Sequence, residues 1–298
     1  MNLKIVRRTL LAAAALLAFA LARPDAAAAQ VTETPAAAAD TVYEIRLHDG
    51  SVLVGRIVAE TGASVTVQTH AGLTVALQRE QIVSMTPRTG RVVNGQVWPR
   101  DPHGTRLFFA PTARGIPRGE GYFGVYELFF PFVSYGLTDR LTISAGTPII
   151  PEVIGEIFYF APKFEVVRTP GASAAVGVLA LVAPAEELDG SAGLIYGVGT
   201  FGSPDRSVTV GATVPFVASS DQSEIGNDPV FMVGGEARLG IRTKLLSENY
   251  VMPAEGALIS AGVRFFGERL SADFGLGMAL TGSDAPCCLP LVNFVYSF

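Results

Sequence analysis

From about residue 104 to the end of the chain, apolar and polar side chains alternate with a period of two. In "RLSADFGLGMAL", Leu270, Ala272, Phe274, Leu276, Met278 and Leu280 share one face, while Ser271, Asp273, Gly275 and Gly277 share the other. "SVTVGATVPF" sets Val208, Val210, Ala212, Val214 and Phe216 against Ser207, Thr209, Gly211 and Thr213. In "IFYFAPKFEV", Phe158, Phe160, Phe164 and Val166 oppose Tyr159, Lys163 and Glu165. A slip of one residue would exchange the faces, so the register is strongly specified. The pattern predicts twelve strands: 104–111, 120–136, 140–150, 155–168, 172–186, 190–202, 206–219, 229–239, 242–252, 255–266, 269–281 and 289–298. Most approach or exceed the roughly 9–11 residues that a tilted strand needs to cross a bilayer.

The connections point the same way. Those leaving even-numbered strands are tight ("LTDR", "RTPG", "SPDR", "LGIR", "GER"), and those leaving odd-numbered strands are longer ("PTARGIPRG", "PIIPEVIGE", "APAEELDGS", "ASSDQSEIGND", "VMPAEG", "TGSDAPCCLP"). A soluble β-sandwich has no reason to sort its loops by length, whereas a membrane barrel has short turns at one end and longer loops at the other. In hydrocarbon such a sheet must close, because an open edge would leave unpaired backbone groups.

Composition sharpens this. The chain is 49% hydrophobic and only 16% charged, yet past the N-terminal segment no run is long enough for a membrane helix. "MNLKIVRRTLLAAAALLAFALA" combines a basic start (Lys4, Arg7, Arg8) with an apolar run from Leu10 to Ala22. That is the form of a signal peptide, with cleavage expected after Ala29 or after Ala22. The small residues there are not followed by Cys, so a lipid anchor is not expected. Removing residues 1–29 takes away four basic residues and one acidic, leaving 18 against 26. An exported acidic chain without a basic patch is not expected to bind nucleic acid. Residues 30–40 form a leader. Residues 41–86 read as five short strands with turns at Asp49-Gly50, Thr61-Gly62 and Ala71-Gly72, and 87–103 as a polar linker.

The stretch 104–298 resembles bacterial outer-membrane β-barrels of an uncharacterised family, notably in "GYFGVYELFFPFVSYGLTDRLTISAGTP". Its ending, with Phe294, Tyr296 and Phe298 on one face, is similar to the C-terminal signal read by the barrel-assembly machinery. "LHDGSVLVGRI" resembles SH3-like and Sm-like small barrels. The resemblances imply an all-β protein: a twelve-stranded antiparallel transmembrane β-barrel preceded by a small SH3-like domain in the periplasm. Outer-membrane lipid, the assembly machinery and a periplasmic partner of residues 41–86 are the implied partners. The last strand is expected to pair with the first, around Phe108.

Chemical motifs are sparse. Gly119-Glu120-Gly121-Tyr122-Phe123-Gly124 fits the dinucleotide fingerprint but opens a strand rather than a helix, so it reads as loop geometry. One class of twelve-stranded barrel is a lipase using Ser and His. Here His48, His70 and His103 all lie outside the predicted membrane strands after 104, so an enzyme is not expected. No cofactor or metal is expected. Cys287 and Cys288 are adjacent in an exported loop, open to a vicinal disulfide, a metal contact or an intermolecular bond. Glu127, Lys163, Glu165, Glu236, Arg238, Arg264 and Asp273 fall on the polar parity, with Lys244 and Glu248 on a neighbouring strand. They either satisfy one another across a narrow lumen or line a pore. About 8 strands give a filled interior and 16–18 an open channel, so twelve lies between. The small domain is not expected to plug such a barrel. The function expected is a passive or weakly selective channel for small polar solutes. A structural barrel with an occluded lumen is second, and a lipid-acting enzyme third.

Overall fold

The computed structural model describes residues 41–93, 96–151, 154–183, 190–218, 223–253, 255–280 and 288–298. The segments expected to be signal peptide and leader, and Cys287, lie outside them.

The first strands are β1 (Thr41–Leu47), β2 (Val52–Glu60), β3 (Ser64–Thr69), β4 (Thr74–Gln78) and β5 (Ile82–Val93). They form a small antiparallel sheet in the order β4-β3-β2-β1-β5. The β1–β2 turn uses Gly50 at φ 85°, with the Asp49 carboxylate accepting from Ser51 N at 2.8 Å. That is the Asp-Gly chemistry a tight hairpin requires. Ile45, Val65, Val67 and Leu77 make the core. A 3-10 turn at Arg79–Gln81 leads from β4 into β5. The far end of β5 then pairs with β6 (Gln96–Pro99).

The second sheet is a closed antiparallel barrel of twelve strands. These are β7 (Gly121–Tyr126), β8 (Phe130–Gly136), β9 (Leu141–Gly146), β10 (Phe158–Arg168), β11 (Ala172–Ala183), β12 (Gly190–Ser203), β13 (Arg206–Ala218), β15 (Val230–Gly240), β16 (Thr243–Met252), β17 (Gly256–Phe266), β18 (Leu270–Leu280) and β19 (Leu289–Ser297). A short β14 (Ser223–Ile225) folds back on β13. Neighbours pair in sequence order, and β19 returns to β7, with Phe294 opposite Val125 and Tyr296 opposite Phe123.

The strand count agrees with the sequence pattern, but two assignments differ and offset each other. Residues 104–111 are not a membrane strand. They enter the lumen, and the closing strand therefore pairs with β7 rather than near Phe108. Residues 120–136 are two strands, joined by a turn in which Glu127 and Leu128 have φ of 48° and 63° and Phe129 N donates to Tyr126 O at 3.1 Å. Positive φ at both central residues is what a two-residue hairpin turn needs. Five tight turns, 137–140, 169–171, 204–205, 241–242 and 267–269, lie at one end, here called the turn end. The opposite loop end carries the longer connections together with two short ones, 127–129 and 253–255.

Phe123, Phe160, Val208, Val210, Phe274 and Leu276 stand exposed on the outer wall. Ser207, Thr209, Ser271, Asp273 and Asn293, on the opposite parity, are buried inside. This inversion of the soluble pattern is what a barrel in hydrocarbon requires.

Candidate functional site: the plugged lumen

Residues 100–118 run into the barrel from the turn end and back out before β7. Inside, Leu107 N donates to Ala110 O and Thr112 N to Thr105 O, both at 2.9 Å, closing a hairpin over 105–112. Its tip seats where the wall has no side chain. A Cβ on Gly234 would meet Leu107 Cδ1 at 2.3 Å, and one on Gly275 would meet Phe108 Cζ at 2.8 Å.

A hairpin inside a barrel has no ladder partner for most of its backbone, so wall side chains must satisfy it. Lys163 Nζ donates to the carbonyls of Thr105, Thr112 and Arg114 at 3.3, 2.9 and 2.6 Å. Glu248 Oε2 accepts from Phe109 N and Ala110 N at 3.0 and 3.1 Å. Asn293 Nδ2 donates to Phe108 O at 3.1 Å, Ala113 N to Thr200 Oγ1 at 2.9 Å, and Ile116 N to Thr142 Oγ1 at 3.0 Å. Glu165 Oε2 accepts from Gly115 N at 3.2 Å and also binds Arg168.

The deeper charges form a network joining wall and plug. Arg264 Nε donates to Asp273 Oδ1 at 2.7 Å, its Nη1 to His103 O at 2.9 Å and its Nη2 to Leu107 O at 2.7 Å. Asp273 Oδ2 accepts from Arg106 Nη1 at 2.6 Å. Lys244 Nζ bridges Glu236 at 2.7 Å and Asp101 at 2.8 Å, and Glu236 also holds Arg114. Burial alone would push the Asp101 carboxyl up, but Arg264 and Lys244 beside it hold it well below the ordinary carboxylate range. His103 lies between two hydroxyls, with Nδ1 2.7 Å from Ser271 Oγ and Nε2 2.9 Å from Ser297 Oγ. Burial first, and then the Arg106 guanidinium, lower its pKa to about 3. A Ser-His contact therefore exists, but both ring nitrogens are taken by serines and the imidazole is fully buried. The arrangement positions the plug, and among the described residues the ring nitrogens meet serine hydroxyls rather than the carboxylate that would orient a catalytic base.

Of the residues singled out by parity, Lys163, Glu165, Glu236, Arg264 and Asp273 are buried in the lumen. They meet one another and the plug. Glu127 lies in the β7–β8 turn, where its Oε1 accepts from Val292 N at 3.2 Å. Arg238 is at the turn end, paired with Asp205 at 2.9 Å and stacked 4.9 Å over Trp98 and 5.0 Å over Phe266. Cys288 is exposed; its neighbour lies outside the described residues. Sequence reasoning missed the plug's own groups: Asp101, His103, Arg106 and Arg114. The signal available was the spacing of Pro102, Pro111 and Pro117, which suits an irregular segment better than a ladder strand.

The plug leaves space on both sides. A cavity of about 470 Å³ occupies the loop half of the lumen, and one of about 410 Å³ lies at the turn end beside Asp101, Arg114 and Glu268. Thr105 and Tyr122 border both, and their hydroxyls are 2.8 Å apart.

The fold and its interior thus define a lipid-facing barrel of twelve strands closed by an internal segment. No family model and no curated protein matches the chain. Solved outer-membrane barrels do. The KdgM porin in complex with disordered oligogalacturonate has a TM-score of 0.45 and 9% identity, over 60% of this chain and 98% of that one. An outer membrane channel from Pseudomonas putida F1 has a TM-score of 0.40 and 10% identity, over 62% and 97%. A loop-deletion mutant of OmpT, an outer membrane protein of Vibrio cholerae, has a TM-score of 0.38 and 12% identity, over 87% and 96%. The likeness is one of barrel architecture, and the strand pairing described above establishes the fold without it.

Proposed function

We propose that the protein is an outer-membrane conduit for small solutes, closed in this state by the hairpin 105–112. The observation that carries this reading is the pair of cavities, one toward each end of the barrel, that meet at the hydrogen-bonded hydroxyls of Thr105 and Tyr122. A barrel serving only as a scaffold has no need of space on both sides of a removable segment. The plug is polar in attachment and its ends continue into chain at the turn end, so it can leave without breaking the wall.

In this reading residues 1–29 direct export, and the outer wall contacts lipid. Phe294, Tyr296 and Phe298 carry the assembly signal. The turn end, with the small domain, faces the periplasm. The strand order β4-β3-β2-β1-β5 and the 3-10 turn before β5 support an SH3-like module, which offers a surface to a periplasmic partner. The luminal charges are engaged with one another and with the plug, so they set closure rather than solute preference.

Planar-bilayer recordings test this. The refolded full chain is expected to show little steady conductance. Gly234→Val combined with Gly275→Val, which fills the seats of Leu107 and Phe108, is expected to conduct persistently while keeping heat-modifiable migration. Deletion of 105–112 serves as a second opened form. A folded barrel that stays non-conducting in both forms would sink the conduit reading in favour of a permanently occluded structural protein.

A further inference from the structure

The lumen is not uniformly polar. Charges crowd its turn half, but the loop half is walled by Tyr126, Phe132, Leu179, Leu194, Val198 and Met232, and floored by Phe109 and Pro111 of the plug. A barrel in the outer membrane keeps its apolar side chains outward and its interior polar, so an apolar chamber inside departs from the architecture's own rule. Close-packed interiors also leave few voids larger than a water molecule, whereas this chamber is about 470 Å³, about three times the ~150 Å³ cavity that admits benzene. Its size falls in the range of small-molecule sites, which pair apolar walls with a few polar anchors.

The anchors are present. Among the described residues, Tyr159 Oη, Thr213 Oγ1, and Arg106 Nε and Nη2 are buried without a hydrogen-bond partner, and all three residues border this chamber. Buried polar groups are nearly always satisfied. Unpartnered groups in the wall of one apolar cavity are what a bound molecule's polar end would complete once their side chains rotate toward it.

We infer that the loop-half chamber is a binding site for a small, mainly apolar solute with one hydrogen-bonding end, of the size and chemistry of a hydroxylated bicyclic aromatic. The assignment deepens the conduit reading and takes its physiological meaning from it. Its test is binding, which does not depend on conductance.

The full chain in lipid nanodiscs is dialysed against radiolabelled 2-naphthol, with empty nanodiscs as the partition baseline. Saturable uptake of one molecule per barrel is expected. Ala161→Trp, which projects into the chamber, should weaken it at least tenfold, while Ala272→Trp on the lipid face leaves it unchanged. Leu194→Trp replaces Ala161→Trp if that variant loses heat-modifiable migration. Tyr159→Phe and Thr213→Val, which remove only the unpartnered hydroxyls, should weaken 2-naphthol several-fold and naphthalene not at all. Uptake equal to empty discs, or saturable binding that survives both tryptophan variants, would overturn the site. Equal weakening of both probes would overturn the polar-end assignment. Binding in a barrel that never conducts would remove the conduit and keep the site, whereas conduction without binding would remove the site alone.

Discussion

Arg264 shows how single residues make the plug and the wall interdependent. It is fully buried, and its guanidinium satisfies Asp273, approaches Asp101 and donates to three plug carbonyls, those of His103, Arg106 and Leu107. Arg264→Met keeps much of the volume but leaves Asp273 to Arg106 alone and Asp101 to Lys244 alone, and it takes a donor from three plug carbonyls. Removing one partner of a buried pair costs roughly 3–5 kcal/mol, so the variant is expected to lower the unfolding midpoint markedly. Asp273→Asn should cost less, because Arg264 retains its carbonyl acceptors. Urea titrations of both, followed by gel mobility, check the order. His103 adds a pH dependence. Its folded pKa of about 3 lies below the ordinary 6.5, so between those values the released plug binds a proton that the seated plug does not. Stability of the seated state is full above about pH 6.5 and falls as pH drops toward 3, by at most about 1.4 kcal/mol per unit. Asp101, also lowered, acts in the same direction but only in more acidic solution, below its ordinary 3.8. Amide protection factors in 103–112, which divide out the base-catalysed intrinsic rate, should fall on acidification from pH 7 to 4.5, and His103→Asn should flatten that response.

Among the elements, the closing seam is the most direct check of topology. β19 pairs with β7, and Phe298 N donates to Gly121 O at 3.0 Å with its ring over that glycine. With the native cysteines replaced by serine, cysteines at Phe123 and Tyr296 should join through a short bismaleimide, whereas Phe108→Cys with Tyr296→Cys should not. The reverse result would restore a strand at 104–111. That segment was misread for a physical reason. Leu107-Phe108-Phe109-Ala110 is as apolar as a membrane strand, and period and hydrophobicity do not record whether the surroundings are lipid or the packed interior of a lumen. The β7–β8 hairpin was invisible for another reason. Its turn residues, Glu127 and Leu128, take positive φ without being Gly, Asn or Asp, so no turn chemistry marks the break. The alternation of β10, β13 and β18, by contrast, fixed both their faces and which charges point inward. Lys163, Glu165 and Asp273 could therefore be placed from parity, while their plug partners could not, because nothing in a strand pattern announces a segment crossing the lumen.

For the whole molecule the question is whether the plug moves, and the geometry offers a way to hold it. Ala113 N donates to Thr200 Oγ1 at 2.9 Å, so the two backbones approach closely across the plug–wall boundary, within the reach of a disulfide. Ala113 and Thr200 are both buried, one on the plug and one on β12, and neither carries charge in the luminal network. The pair Ala113→Cys with Thr200→Cys, in a chain whose native cysteines are serine, is expected to form an internal disulfide that ties the outgoing arm of the hairpin to the wall. If solutes pass by displacement of the hairpin, proteoliposomes of the oxidised variant should swell more slowly than those of the parent chain, and dithiothreitol should restore the parent rate. Combined with Gly234→Val and Gly275→Val, the same disulfide should reduce the persistent conductance of the opened form, again reversibly. A locked barrel that passes solute as fast as the reduced one would mean that the path lies beside the plug, past Thr105 and Tyr122. The hairpin would then be a fixed constriction rather than a gate.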